Sequence, residues 1–191
     1  MLSKQDKIQQ KEDYRLFQEW MAGSHEKPFK LAHRENYHAC SVLLHTPALK
    51  LWFNLRHLLM YLISRIAWSP LKIFFFRLMG VKIGKNVYIA PWVMLDPMFP
   101  NLIELRDNCF LGVGCSLISH EYTTSGFRVG KVSIGAGTVL GAYSIVRSGI
   151  TIGRFVNTGL GCVVFHDIPD GMTAIGNPAR YDTKTKITPE V

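Results

Sequence analysis

The chain of 191 residues is short of cysteine and of long apolar runs. Its four cysteines, Cys40, Cys109, Cys115 and Cys162, stand singly, with no CxxC pair and no ligand-type spacing. That excludes a zinc ribbon and a secreted disulfide scaffold, and a chain of this length can bury a core without either. No stretch free of Lys, Arg and His in the apolar segment 43–80 approaches the ~18 residues a membrane-spanning helix needs. The opening MLSKQDKIQQKEDYR lacks the apolar centre of a signal peptide, so a cytoplasmic location is expected.

Charge and glycine are unevenly spread. Residues 1–80 hold twelve lysines and arginines against six acidic residues, and 14 of the 16 glycines follow Gly80. Two regions are expected: an N-terminal helical arm over 1–80 and a glycine-rich unit over 81–181, followed by a polar tail, 182–191.

The second region is a repeat. From Ile134 it divides into IGAGTV, LGAYSI, VRSGIT, IGRFVN, TGLGCV and VFHDIP, aliphatic at the first position in five of six and Gly at the second in four of six. The same phase runs from Ile83 to Pro100 and from Leu105 to Tyr122, and is lost in an excursion loop, 121–133. Short strands of period 2 put the first and fifth residues on one side, and Gly, Asn or Asp supply backbone freedom at each corner. Three such faces close a coil, and the repeat fills about four coils. Cys109, Cys115 and Cys162 fall at the inward fifth position and read as inert packing. The run DIPDGMTAIGNPAR, with Pro169 and Asn177-Pro178, stops the stacking.

The arm carries helical patterns. Residues 3–22 read as an amphipathic helix ending near Gly23, with a connector from His25 to Pro28. In 43–80, Leu51, Leu55, Leu58, Leu59, Leu62 and Ile66 recur at helical spacing, and Pro70 separates a second apolar run. This segment has Lys50, Arg56, Arg65, Lys72 and Arg77 but no acidic residue. It reads either as a cap or packing arm, or as an interfacial anchor whose cations meet anionic headgroups. Nucleic acid is not expected as a partner, because no such motif is present.

His120 sits in LISHEY, where the repeat breaks into the loop. Hexads interrupted after this triplet and closed by GNPA resemble the hexapeptide-repeat acyltransferases, over about residues 68–181. Within that family the chain is most similar to sugar and exopolysaccharide O-acetyltransferases, of the maltose acetyltransferase and colanic-acid types, and to uncharacterised bacterial members. The resemblance implies a mainly β fold, a left-handed parallel β-helix of about four coils after an N-terminal helical region. It implies acetyl-CoA as acyl donor, a hydroxylated sugar or glycan acceptor, a homotrimer, and no metal.

By the same resemblance His120 is the general base. Imidazole, with an unperturbed pKa near ~6.5, can take the acceptor proton and return one to the leaving thiolate. Glu121 is expected to orient the ring, with Asp96, which replaces the usual Gly in LDPMFP, as a comparable candidate also suited to a turn. Tyr122, Ser125 and Arg128 are expected at the acceptor entrance. Ala142, Leu160, Phe165, His166 and Arg180 fall at CoA-groove positions, the last suited to a CoA phosphate. Phe165-His166 stands where members often have Thr-Lys, and Ala90 where maltose-type members carry Asn near the acyl site. His120 and His166 cannot supply the three zinc ligands of a γ-type carbonic anhydrase. The non-enzymatic alternative is a membrane-associated β-helix scaffold.

Overall fold

Each hexad forms a short strand and a corner, and three hexads make one turn of a parallel coil. The computed structural model describes residues 3–25, 27–32 and 46–181. Cys40 and the tail after Tyr181 lie outside these residues. The first face stacks Lys82–Ile83, Ile103–Leu105, Val132–Ile134 and Thr151–Ile152. The second stacks Tyr88–Ile89, Phe110–Leu111, Val139–Leu140, Asn157–Thr158 and Thr173–Ile175, and the third Met94–Leu95, Ser116–Leu117, Ile145–Val146 and Val163–Val164. Parallel registry aligns Leu95, Leu117, Val146 and Val164 on the third face, each a first hexad position and each buried. The fifth positions face inward too, including Cys109, Cys115 and Cys162. Each buried aliphatic side chain stabilises the coil by roughly 2 kcal/mol.

Two backbone requirements shape the corners. At the second hexad position the coils nearly touch: a Cβ on Gly141 would lie 2.5 Å from the Thr158 carbonyl oxygen. At the fourth position the backbone turns through the left-handed region, and here the expectation of Gly, Asn or Asp is only partly met. Asn86 and Asn108 adopt it, but so do Trp92, Tyr143 and Phe155. The reason is packing between coils, because the Tyr143 ring lies against Gly114 and the Phe155 ring against Gly137, where a Cβ would come within 2.5 and 2.6 Å.

The N-terminal segments close the lower end. Helices α1 (Lys4–Ala22), α2 (Pro47–Arg65) and α3 (Ser69–Leu78) follow the predicted spacing, α1 starting in a Ser3–Asp6 capping box and ending at Gly23. The first coil has no coil beneath it, so its lower backbone groups need partners. Ser69 accepts from the Ile89 N–H, and the buried Lys72 donates to the carbonyls of Ala90 at 2.7 Å and Ile89 at 3.4 Å. Arg77 donates to the Ile83 and Gly84 carbonyls, and Arg56 to those of Met98 and Met79. Arg65 stacks on Tyr61 and Trp92. Four of the five cations that could have faced headgroups are thus engaged within the chain.

The stretch Phe29–Ala32, expected to be part of a helical arm, is a strand. It pairs antiparallel with Gly126–Val129, which pairs with His120–Thr123. The excursion is therefore a hairpin with an added third strand, and the chain rejoins the first face at Val132. Gly126 permits this approach, since a Cβ there would lie 2.2 Å from the Leu31 carbonyl oxygen. Phe17 of α1, Leu31, Met98, Phe99, Leu102, Phe127 and Val129 form a second apolar core beneath the sheet.

Candidate active site

Registry places several polar residues at the corner that follows the third face. Leu95 stacks under Leu117, and Val146 follows in the next coil, so Asp96, Ile118 and Arg147 occupy equivalent places. Two residues beyond Ile118, His120 begins the hairpin.

Asp96 is 1% exposed at its side chain and accepts on both oxygens. Oδ1 takes the N–H of Met98 at 2.8 Å and of Phe99 at 3.4 Å, while Oδ2 takes the N–H of Ser119 at 2.8 Å and of His120 at 3.0 Å. Oδ2 also meets Nδ1 of His120 at 2.5 Å. Burial pushes the Asp96 carboxyl up, but the hydrogen bond and charge of His120, with the Met98 and Ser119 donors, outweigh it and hold the group below its ordinary range. Asp96 is then a carboxylate and accepts only, so Nδ1 carries the proton. In the neutral ring Nε2 keeps its lone pair. Phe99, Tyr122 and Phe127 surround the imidazole, with centroids 6.0, 5.6 and 6.0 Å away.

Asp96, not Glu121, therefore holds the ring. Neighbouring strand residues point to opposite sides, and Glu121 turns away from the imidazole. Its Oε2 receives Nε of Arg147 at 2.7 Å, and its Oε1 receives the N–H and Oγ–H of Ser148 at 3.0 and 2.7 Å. Burial raises the Glu121 carboxyl, and these partners more than reverse that, leaving it below the ordinary range.

The remaining candidates divide between places. Ala142 and Leu160 share the corner between the second and third faces, where the Gly161 N–H donates to the Ala142 carbonyl. Phe165 and His166 follow the third face, at the His120 corner but two coils on, and both are exposed. Arg180 is exposed on Arg180–Tyr181, which folds back antiparallel on the last strand of the second face. Tyr122 and Ser125 lie on or at the turn of the hairpin, and Arg128 donates to the Ser148 carbonyl. Burial pushes the Cys109 and Cys115 thiols up to about 11. Among the described residues no three His, Cys, Asp or Glu side chains converge to hold a metal, and no helix is long and apolar enough to cross a membrane.

No family model matches the chain. Sequence relatives do. The chain is 37% identical over 100 residues to the Bacillus subtilis (strain 168) protein named "Putative acetyltransferase YvoF", covering 52% of this chain and 58% of that protein. It is 41% identical over 102 residues to "Putative acetyltransferase SAS0727" of Staphylococcus aureus (strain MSSA476), covering 53% of this chain and 63% of that protein. The match thus spans about six tenths of these relatives' length. A maltose O-acetyltransferase from Clostridium difficile 630 has a similar structure, with a TM-score of 0.60 and 22% identity over 80% of this chain and 92% of that one. So does a hexapeptide-repeat acetyltransferase of Vibrio cholerae O1 biovar eltor complexed with acetyl-CoA, with a TM-score of 0.58 and 15% identity over 74% and 91%. The chain has the left-handed parallel β-helix fold of these structures. In sequence it is related to proteins named putative acetyltransferases.

Proposed function

We propose that the chain is a CoA-dependent O-acetyltransferase, moving an acetyl group from acetyl-CoA to a hydroxyl of a sugar or glycan precursor. The observation that carries this is the Asp96–His120 pair, a buried carboxylate on Nδ1 of a ring only 18% exposed at a coil corner. Asp96 fixes the tautomer and the ring plane, so Nε2 is the proton acceptor. It takes the proton of the acceptor hydroxyl as that oxygen attacks the thioester carbonyl. The new C–O bond forms, the C–S bond breaks, and the imidazolium returns its proton to the CoA sulfur. Transfer is direct, because the described cysteines are buried and disfavoured as thiolates.

In this reading the pantetheine arm follows a groove between subunits of a homotrimer, along Ala142, Leu160, Phe165 and His166, with Arg180 on a CoA phosphate and Glu121 supporting the corner through Arg147. The exposed, outward row Tyr88, Phe110 and Val139 on the second face supports association of coils. Peripheral membrane contact is assigned to the apolar surface of α2 and α3, where Leu51, Trp52, Leu58, Leu62, Trp68 and Phe74 are exposed. Apolar insertion, more than headgroup pairing, carries that contact. Sedimentation with vesicles, lost in a Leu58→Glu, Leu62→Glu chain that still binds acetyl-CoA, tests it.

Calorimetric titration with acetyl-CoA tests the main reading. Saturable binding, one site per chain and weakened in Arg180→Ala, is expected, as is loss of transfer to glycans in His120→Ala with donor binding kept. Absence of binding up to about millimolar donor, a level at which enzymes commonly saturate, overturns the reading and leaves the scaffold.

A further inference from the structure

A cleft of about 330 Å³ opens on the face of the three-stranded sheet that turns away from the imidazole. That is the low end of ligand-sized clefts, about 300–1,000 Å³. Lys30, Arg128 and Arg147 line it, together with Thr123 and Ser125, and among the described residues no acidic one does. Strand registry builds the cluster, since Lys30 lies opposite Arg128 and Arg128 opposite Glu121, all on one side of the sheet. Glu121 spends its charge on Arg147, leaving two cations beyond that pair.

One side chain of this cluster keeps a donor unmet. Arg128 gives Nη2 to the Ser148 carbonyl at 2.9 Å, but its Nε is buried with no hydrogen-bond partner among the described residues. An unmet guanidinium donor away from water is costly, and native proteins seldom keep one without use. Arg147 adds a second clue: its guanidinium carbon lies 5.6 Å from the centre of the Phe165 ring. This contact and the pair with Glu121 hold the Arg147 cation at the cleft.

We infer that this cleft binds a phosphoryl group, with Lys30, Arg128 and Arg147 as its cationic partners. The chemistry matches in charge and shape. A phosphate monoester carries about −1.5 to −2 charges and three strong acceptor oxygens, suited to Lys30 and Arg128, the two cations beyond the Arg147–Glu121 pair. Thr123 and Ser125 hydroxyls border the same space. The phosphoryl group belongs either to the acceptor, a phosphorylated or nucleotide-linked glycan precursor on the far side of the hairpin strand from Nε2, or to CoA. Naming those two bearers rests on the acetyltransferase reading; the anion site itself does not.

The probe is inorganic pyrophosphate added to the full chain with ¹⁵N-labelled arginine, read at the Arg128 Nε–H resonance, assigned by its loss in Arg128→Lys. A saturable shift is expected, weakened about tenfold in Lys30→Gln, as for loss of one charge-assisted contact. No saturable shift up to about 20 mM pyrophosphate, far above the millimolar range of weak specific sites, or an equal response in Lys30→Gln, overturns the site. The affinities of CoA and dephospho-CoA for wild type and Lys30→Gln then separate the bearers. A loss confined to CoA assigns the site to its 3′-phosphate, a loss shared by both assigns it to the CoA pyrophosphate, and no loss in either assigns it to the acceptor. Acetyl-CoA binding with no pyrophosphate response would refute this site while leaving the proposed reaction standing.

Discussion

Replacing Asp96 with Asn changes one oxygen to an amino group and little else in shape. The native carboxylate accepts five hydrogen bonds, two on Oδ1 and three on Oδ2. The amide keeps one accepting oxygen, so one pair of backbone donors, Met98 and Phe99 or Ser119 and His120, faces an NH₂ group. Two buried donors without partners at about 1–3 kcal/mol each put the loss near 4 kcal/mol. For a chain of this size that lowers Tm by about 8–16 °C. With Nδ1 no longer held by a carboxylate the ring loses its fixed tautomer, and turnover falls about a hundred- to ten-thousand-fold, as when the carboxylate behind a catalytic histidine is lost. The pH dependence has a definite sign. Because the folded Asp96 carboxyl is held below its ordinary value, its stabilisation is present above the unfolded pKa of about 4 and is lost as pH falls through the folded value. Wild type and variant should therefore converge in Tm in acid and separate near neutrality. Calorimetry across pH, thiol release from acetyl-CoA and ¹⁵N spectra of the His120 ring read these effects separately. A variant with wild-type Tm at neutral pH, an unaltered ring spectrum and turnover within about threefold, under 1 kcal/mol of barrier, would refute the assignment of Asp96 as the positioning residue.

Lys72 shows the same sign of dependence in the alkaline range. Burial pushes its ammonium down to about 8, so between there and the unfolded value of about 10.4 the unfolded chain holds more protons, and stability rises with pH by up to about 3 kcal/mol. Lys72→Met should lack this rise in urea melts taken across that range. Gly141→Ala forces a Cβ against the Thr158 and Gly159 backbone, with contacts of 2.5 and 2.7 Å, and should cost about 3 kcal/mol in the same melts, in the range of overpacked cores. In a Cys40→Ser chain, DTNB labelling of Cys109 and Cys115 should be negligible until denaturant is added, because both are buried with thiols pushed up to about 11.

The coil was legible because its code is local. A strand of two residues repeated every six leaves no freedom about which side chain faces in, so Leu95, Leu117, Val146 and Val164 announce themselves by spacing. The place where the period fails was also legible, since the hairpin begins at His120. The three helices followed from amphipathic spacing, an end near Gly23 and the break at Pro70.

Other features depend on distant segments meeting. Nothing near Phe29–Ala32 marks it as a strand; its partner lies about a hundred residues later, and the pairing exists because α1 and the hairpin bury Phe17, Leu31, Phe99 and Phe127 together. Arg56, Lys72 and Arg77 gained their roles from the open end of a coil that begins only at Lys82, whose carbonyls demanded donors. The choice between Asp96 and Glu121 was likewise tertiary. Sequence determined that a carboxylate stands beside His120, but strand alternation turned Glu121 toward Arg147 and Ser148, while stacking of Leu95 beneath Leu117 carried Asp96 to the ring. Periodicity fixes which way each residue faces within its own coil; only the stacking of coils decides which residues twenty or more positions apart touch.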